Sequence, residues 1–209
     1  MPLIKRDPTP EAASRPPSRD DTALHLAELK SSNPDDRWRA ARALAGTADA
    51  VESLAAALQT EPVARVREAI MTALIRSGGD AGIRALLSCM RSQDAAMRTA
   101  AIDALRAAPK AVHPFMQLVL QDDDADIRIL ATELVRNMAP AEATNILVGL
   151  LEKEQHPNVC AAAVEVIAEV GTAAAVPALR DCAARFADTP FLPFAISTAI
   201  ARISEAESR

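Results

Sequence analysis

Nine-residue segments of one kind return along the chain at an almost constant interval: VREAIMTAL at 66–74, MRTAAIDAL at 97–105, IRILATELV at 127–135 and VCAAAVEVI at 159–167. Aligned on their second residue, the segments place Arg37, Arg67, Arg98, Arg128, Cys160 and Pro193 at steps of 30, 31, 30, 32 and 33. Self-similarity with such a period is the mark of a stacked-repeat architecture. A chain built this way has little freedom: each unit must be nearly the same small structure, placed beside the one before.

Apolar residues inside each segment keep helical spacing. The leading column reads Val66, Met97, Ile127, Val159 and Leu192, with Asp36 breaking it in the first unit. Four residues on come Ala40, Ile70, Ala101, Ala131, Ala163 and Ile196, and eight on come Leu44, Leu74, Leu105, Val135, Ile167 and Ile200. Positions i, i+4 and i+8 form one face of an α-helix. A second amphipathic stretch precedes each segment, for example AVESLAAAL, GIRALLSCM, AVHPFMQLVL and ATNILVGLLEK. Between the two lie SSNPDD, QTEP, RSQD, QDDDAD, EQHPN and ADTP, which combine helix breakers with residues suited to N-caps. Gly- or Pro-bearing turns such as GTAD, SGGD and NMAP separate the units.

Each unit is thus predicted to be an antiparallel helix pair. The expected fold is an all-α solenoid of about six stacked pairs, covering residues 21–203. Composition agrees, because hydrophobic residues make up 50% of the chain but aromatics only 2%, leaving Ala, Leu, Val and Ile to build a core of closely approaching helices. Residues 1–20 hold five prolines and little to bury, so a Pro-rich extended arm is expected there, with Leu3, Ile4, Lys5 and Arg6 as a small amphipathic hook. Residues 204–209 read as a polar tail.

The pattern VR..A...AL after an acid-rich turn, followed by a Gly turn and AVPAL, resembles the HEAT-like repeats of the phycobilisome-lyase type. The resemblance covers about nine-tenths of the chain. It implies the same solenoid, but spans bilin lyases, assembly factors, signalling adaptors and scaffolds. The arginine column of that family is matched at Arg37, Arg67, Arg98 and Arg128 and lost at Cys160 and Pro193. Acids precede three of these arginines: Glu61 before Arg67, Asp94 before Arg98, and Asp122 or Asp124 before Arg128. The arginines are expected to form a structural ladder tying turns to neighbouring units by charge-assisted hydrogen bonds.

Several kinds of chemistry find no support in the residues. Asp122, Asp124, Asp126 and Glu133 have the spacing of four EF-hand ligands, but the glycine that loop requires is replaced by Ile127, so capping is the expected use. His25, His113 and His156 form no metal-ligand pattern, and no Gly-rich phosphate loop occurs. Cys89, Cys160 and Cys182 form no CxxC pair and are expected as reduced, core-packed thiols. No cofactor is implied. A net charge of −5 argues against nucleic acid, and the absence of a long apolar run argues against a membrane span.

The remaining signal lies on the second helix of each unit, beside the core face. Trp38, Arg42, Glu68, Asp103, Arg106, Glu133 and Arg136 occupy columns that do not read as buried stripes. Such columns line the concave side in many solenoids, and Trp and Arg are favoured anchors at interfaces. Two readings stay open: a groove for a partner protein or peptide, or an ordinary solvated face. The function expected is a non-catalytic scaffold or adaptor in a bacterial cytoplasm, with a bilin-lyase-like enzyme or chromophore chaperone as the alternative. Oligomeric state is left open.

Overall fold

A computed structural model describes residues 19–189 and 191–207. The expected arm, with its Leu3–Arg6 hook, therefore lies almost wholly outside the described residues. All regular structure among the described residues is helical. Six units follow one another: α1 (Arg19–Glu28) with α2 (Pro34–Ala43), α3 (Val51–Thr60) with α4 (Ala64–Arg76), and α5 (Gly79–Cys89) with α6 (Ala95–Arg106). Next come α7 (Pro109–Val112) and α8 (Met116–Leu120) with α9 (Ala125–Glu133), α10 (Pro140–Leu151) with α11 (Pro157–Val170), and α12 (Val176–Arg185) with α13 (Phe191–Glu207). Asp20 thus already belongs to α1, and Ser204 still belongs to α13.

The fourth unit departs from the expectation of one continuous first helix. AVHPFMQLVL is interrupted by a 3₁₀ turn at His113–Phe115. Pro114 explains the break, since it lacks the N–H needed to continue an α-helix and its ring crowds the preceding turn. Val112, Phe115, Met116, Val119 and Leu120 are nevertheless buried, so the broken element still covers the core.

Helix starts follow the loop chemistry. Asn33, Asp94 and Asp124 are N-caps whose side chains accept from the N–H groups of Asp35, Ala96 and Asp126 at 2.9–3.0 Å. Val63 and His156 occupy the equivalent N-cap positions of α4 and α11 without a side-chain cap. There a glutamate two residues upstream substitutes: Glu61 accepts from Val63 N–H, and Glu154 from Gln155 and His156 N–H. Gly78, at φ 71°, lets the chain reverse between α4 and α5 in a conformation costly for residues with a Cβ.

Packing runs from neighbour to neighbour. The second helices touch in the order α2, α4, α6, α9, α11, α13, while α3 meets α5, and α8, α10 and α12 meet in turn. One apolar cluster extends from Leu29 to Ile203. The repeat columns supply it: Val66, Met97, Ile127, Val159 and Leu192 are buried, as are Ile70, Ala101, Ala131, Ala163 and Ile196. Gly82 on α5 marks one close approach, because a Cβ there would lie 2.4 Å from the main-chain oxygen of Leu74.

The arginine column sits at the loop end of this stack. Nη1 of Arg37, Arg67, Arg98 and Arg128 donates to the main-chain carbonyl six residues earlier, on Ser31, Glu61, Ser92 and Asp122 respectively. Those acceptors form a column of their own, whose side chains also accept from the N–H two residues on. Where the next unit offers a glutamate in this column, the guanidinium reaches across to it. Arg37 forks onto Glu61 at 2.7 and 2.8 Å, and Arg128 onto Glu154 at 2.7 and 3.1 Å. Glu61, six residues before Arg67, thus gives its carboxylate to Arg37 and only its carbonyl to Arg67.

Both glutamates are buried, at 7% and 8% exposure. The hydrogen bond from Arg37 holds the Glu61 carboxyl below its ordinary value against the opposing effect of burial, helped by Val63 N–H. At Glu154, burial pushes upward most strongly, but Arg128 and the N–H groups of His156 and Gln155 together prevail and lower it.

Two outcomes follow from this packing. Gly82→Ala, which helix propensity alone would favour by about 1 kcal/mol, is expected instead to destabilise the chain by about 1–3 kcal/mol in thermal melts, since backbone blocks the new methyl. For the forks, depressed folded-state carboxyl pKa values mean stability that is present above the ordinary carboxylate range and lost as pH falls through the folded values. Glu61→Gln and Glu154→Gln should each cost about 2–3 kcal/mol at neutral pH by urea denaturation. The gap from wild type should close as pH falls below the ordinary carboxylate range; curves that stay parallel would exclude the forks as its source.

Candidate functional site

The seven candidate residues lie on α2, α4 and α6, and on α9 and the turn that closes it, along the ribbon of second helices. The structure gathers them into three groups rather than one pocket.

On α2, the Arg42 guanidinium lies 4.6 Å from the centroid of the Trp38 ring. The indole is half-buried and packs against the core, while Arg42 is exposed. Spacing of four residues on a helix places such a pair one above the other, so an aromatic plane and a cation are held together at the first unit.

Between α4 and α6 lies a groove of about 700 Å³ whose lining includes Glu68, Met71, Thr72, Thr99 and Asp103. Alanines open it: Ala64, Ala95, Ala96, Ala100 and Ala104 all face the space. Arg67 lines it as well, although the sequence placed Arg67 among the structural arginines rather than at the groove. Arg106 stands 4.0 Å from Asp103, and its buried Nε has no hydrogen-bond partner among the described residues. Glu68 is exposed and forms no ion pair among the described residues.

The third group centres on Arg136, whose side chain is 12% exposed. It forks onto Glu133 at 2.7 and 3.0 Å, meets Glu165 at 3.4 Å, and bonds Glu169. The Glu133 hydrogen bond raises its pKa further, against burial and with help from Glu169. Glu133 and Arg136 stand three residues apart in sequence. Glu165 and Glu169 come from α11 and join only when the units are stacked. Three carboxylates around one guanidinium leave this stretch of the face negative.

A further groove, of about 830 Å³, opens between α8 and α10, with Met116, Leu120, Ile146 and Leu150 on its walls. Of its charged members, Arg128 and Glu154 are committed to the fork and Asp122 bonds Arg91, while Asp123 and Lys153 also line it. The acidic loop beside it is likewise used locally: Asp122 accepts from Asp124 N–H and Asp124 caps α9, while Glu133 turns to Arg136. No cluster of three or more His, Cys, Asp or Glu side chains able to hold a metal occurs among the described residues.

All three cysteines are buried and reduced. Cys160, standing in the arginine column, donates its thiol to the Glu154 carbonyl at 3.8 Å, the carbonyl position its arginine counterparts use. Its thiol is hydrogen-bonded to that of Cys182; this contact, with burial, raises the Cys160 pKa, while the same contact and nearby Arg185 lower that of Cys182 against the effect of burial.

A model of HEAT repeats matches residues 22–106 and 112–189. No curated protein sequence matches significantly. Among solved structures, an engineered protein is 20% identical, with 88% of this chain and 97% of that one covered at a TM-score of 0.39. A designed armadillo repeat protein is 16% identical, covering 86% and 98% at 0.39. The complex of CpcE and CpcF of phycocyanin lyase from Nostoc sp. PCC7120 is 17% identical, covering 97% and 100% at 0.38. The family match spans most of the repeat array, and the chain belongs to the HEAT-repeat proteins.

Proposed function

We propose that this chain is a non-catalytic scaffold or adaptor of a bacterial cytoplasm, which captures a partner protein or peptide along the ribbon of second helices. The observation that carries the reading is the groove between α4 and α6, flanked along the same ribbon by the Trp38–Arg42 stack and the Arg136 cluster. Exposed carboxylates at Glu68 and Asp103 supply polar contacts, and the exposed alanines Ala64, Ala95 and Ala96 apolar ones. An aromatic ring with a cation over it is a pre-ordered anchor whose burial costs little side-chain entropy. Nucleic acid fits poorly, because the ribbon alternates in sign and the whole chain carries −5. No described helix is long and apolar enough to cross a membrane.

Affinity capture from the native host, read by mass spectrometry, tests this directly. Trp38→Ala, Glu68→Lys and Asp103→Lys should each weaken capture of the same protein about tenfold or more, with helicity by circular dichroism unchanged. Equal capture by all three variants would leave the ribbon as plain solvated surface. Adding a bilin should leave the visible spectrum unaltered; an absorbance shift would point to tetrapyrrole handling instead.

A further inference from the structure

The arginine ladder has a gap. At two junctions the guanidinium fork of one unit is filled by a glutamate of the next, Glu61 for Arg37 and Glu154 for Arg128. In the third unit the same column holds Ser92, whose hydroxyl accepts from Asp94 N–H and is too short to reach back. Arg67 accordingly bonds only main-chain carbonyls, those of Glu61 and Pro62, through Nη1. Its Nε is buried and has no hydrogen-bond partner among the described residues. Arg98 also lacks a fork to the next unit, where Asp122 is one carbon shorter than glutamate and turns to Arg91, but its Nε is not left buried without a partner.

A buried N–H without an acceptor is costly, and a guanidinium fork matches a carboxylate with two parallel bonds. The equivalent junctions show which group satisfies it here. Arg67 lines the groove between α4 and α6, as Arg37 and Arg128 line grooves of their own, but unlike those two it has no carboxylate in its fork. Around it the walls are Ala64, Ala95 and Ala96, small residues in the first turns of two helices. Glu68 and Asp103 line the same groove, and Asp103 lies near the end of α6, well away from Ala95 and Ala96.

We propose that the bound partner contributes a glutamate side chain to Arg67, in the place that Glu61 and Glu154 fill at neighbouring junctions. The partner segment would thereby complete the ladder in trans. This rests on the ribbon being the capture surface, and adds the chemistry of one anchor to it.

Ser92→Glu places the missing carboxylate in cis and so competes with the partner's. The probe is the peptide acetyl-Ala-Glu-Ala-amide, with its Gln analogue as control, titrated against the full chain while the arginine Nε–H resonances are followed by NMR. The Arg67 resonance, identified by its loss in Arg67→Lys, should shift saturably with the Glu peptide and at least fivefold less with the Gln peptide. Ser92→Glu should abolish the shift and raise the melting temperature, and Arg67→Lys, which keeps the charge but not the fork, should weaken binding of the native partner about tenfold. An Arg67 resonance unmoved by the Glu peptide, or moved equally in Ser92→Glu, overturns the proposal. If Trp38→Ala and Asp103→Lys abolish capture of the native partner while Ser92→Glu and Arg67→Lys leave it intact, the ribbon stands and the carboxylate assignment alone falls.

Discussion

Each helix pair in this chain has an apolar face that only the adjacent pair can cover. Ile70 and Leu74 on α4, or Val164 and Ile167 on α11, would be exposed in an isolated unit, yet all four are buried in the stack. Burying a Leu or Ile side chain contributes roughly 1.5–3 kcal/mol, which a lone pair of ten-residue helices could not recover by propensity. Stability is therefore held in the junctions, in the manner of a one-dimensional array. The recurrence in the sequence is the same requirement repeated at every junction, and it keeps the columns in register from α2 to α13.

Apolar packing by itself leaves sliding and rotation between neighbours weakly specified. The arginine column adds direction. A guanidinium anchored on its own loop through Nη1 and on the following loop through Nε and Nη2 accepts only one relative placement of the two loops. A buried ion pair returns little net stability after desolvation, but removing one partner costs several kcal/mol. Its effect at the first and fourth junctions is thus more to fix geometry than to add stability. The glutamate does two jobs in each case, since it also satisfies N–H groups at the start of a helix that lacks its own cap. Cys160 replaces arginine in the fifth unit and keeps the contact to the loop carbonyl, while the last junction is crossed by apolar burial of Leu192, Ile196 and Ala199 and by the bond from Arg185 to the Leu151 carbonyl.

Helix pairing could be read from the chain because it depends on local signals: a 3.6-residue period, N-caps such as Asn33, Asp94 and Asp124, and turns at Gly46 and Gly78. Even the broken first helix of the fourth unit has a visible cause in Pro114. The forks were harder to see. Glu61 is nearer in sequence to Arg67 than to Arg37, and pairing it correctly needs the alignment carried across a unit boundary and side-chain lengths compared within one column. Serine, glutamate and aspartate look interchangeable there as loop residues, yet only glutamate spans the gap. On the ribbon, Trp38 with Arg42 and Glu133 with Arg136 are neighbours on a helix, or on a helix and its closing turn. Glu165 and Glu169 join Arg136 only through stacking.

One consequence ties the ladder to the binding face. Where a fork is closed internally, the junction is fixed before anything binds; where it is open, as at Arg67, whatever supplies the carboxylate also fixes the junction. Small side chains at Ala95, Ala96, Ala100 and Ala104 keep α6 from filling the space itself. A partner seated there would be held by an interaction that the array elsewhere uses for its own geometry, so binding and the setting of the second junction would share one free energy.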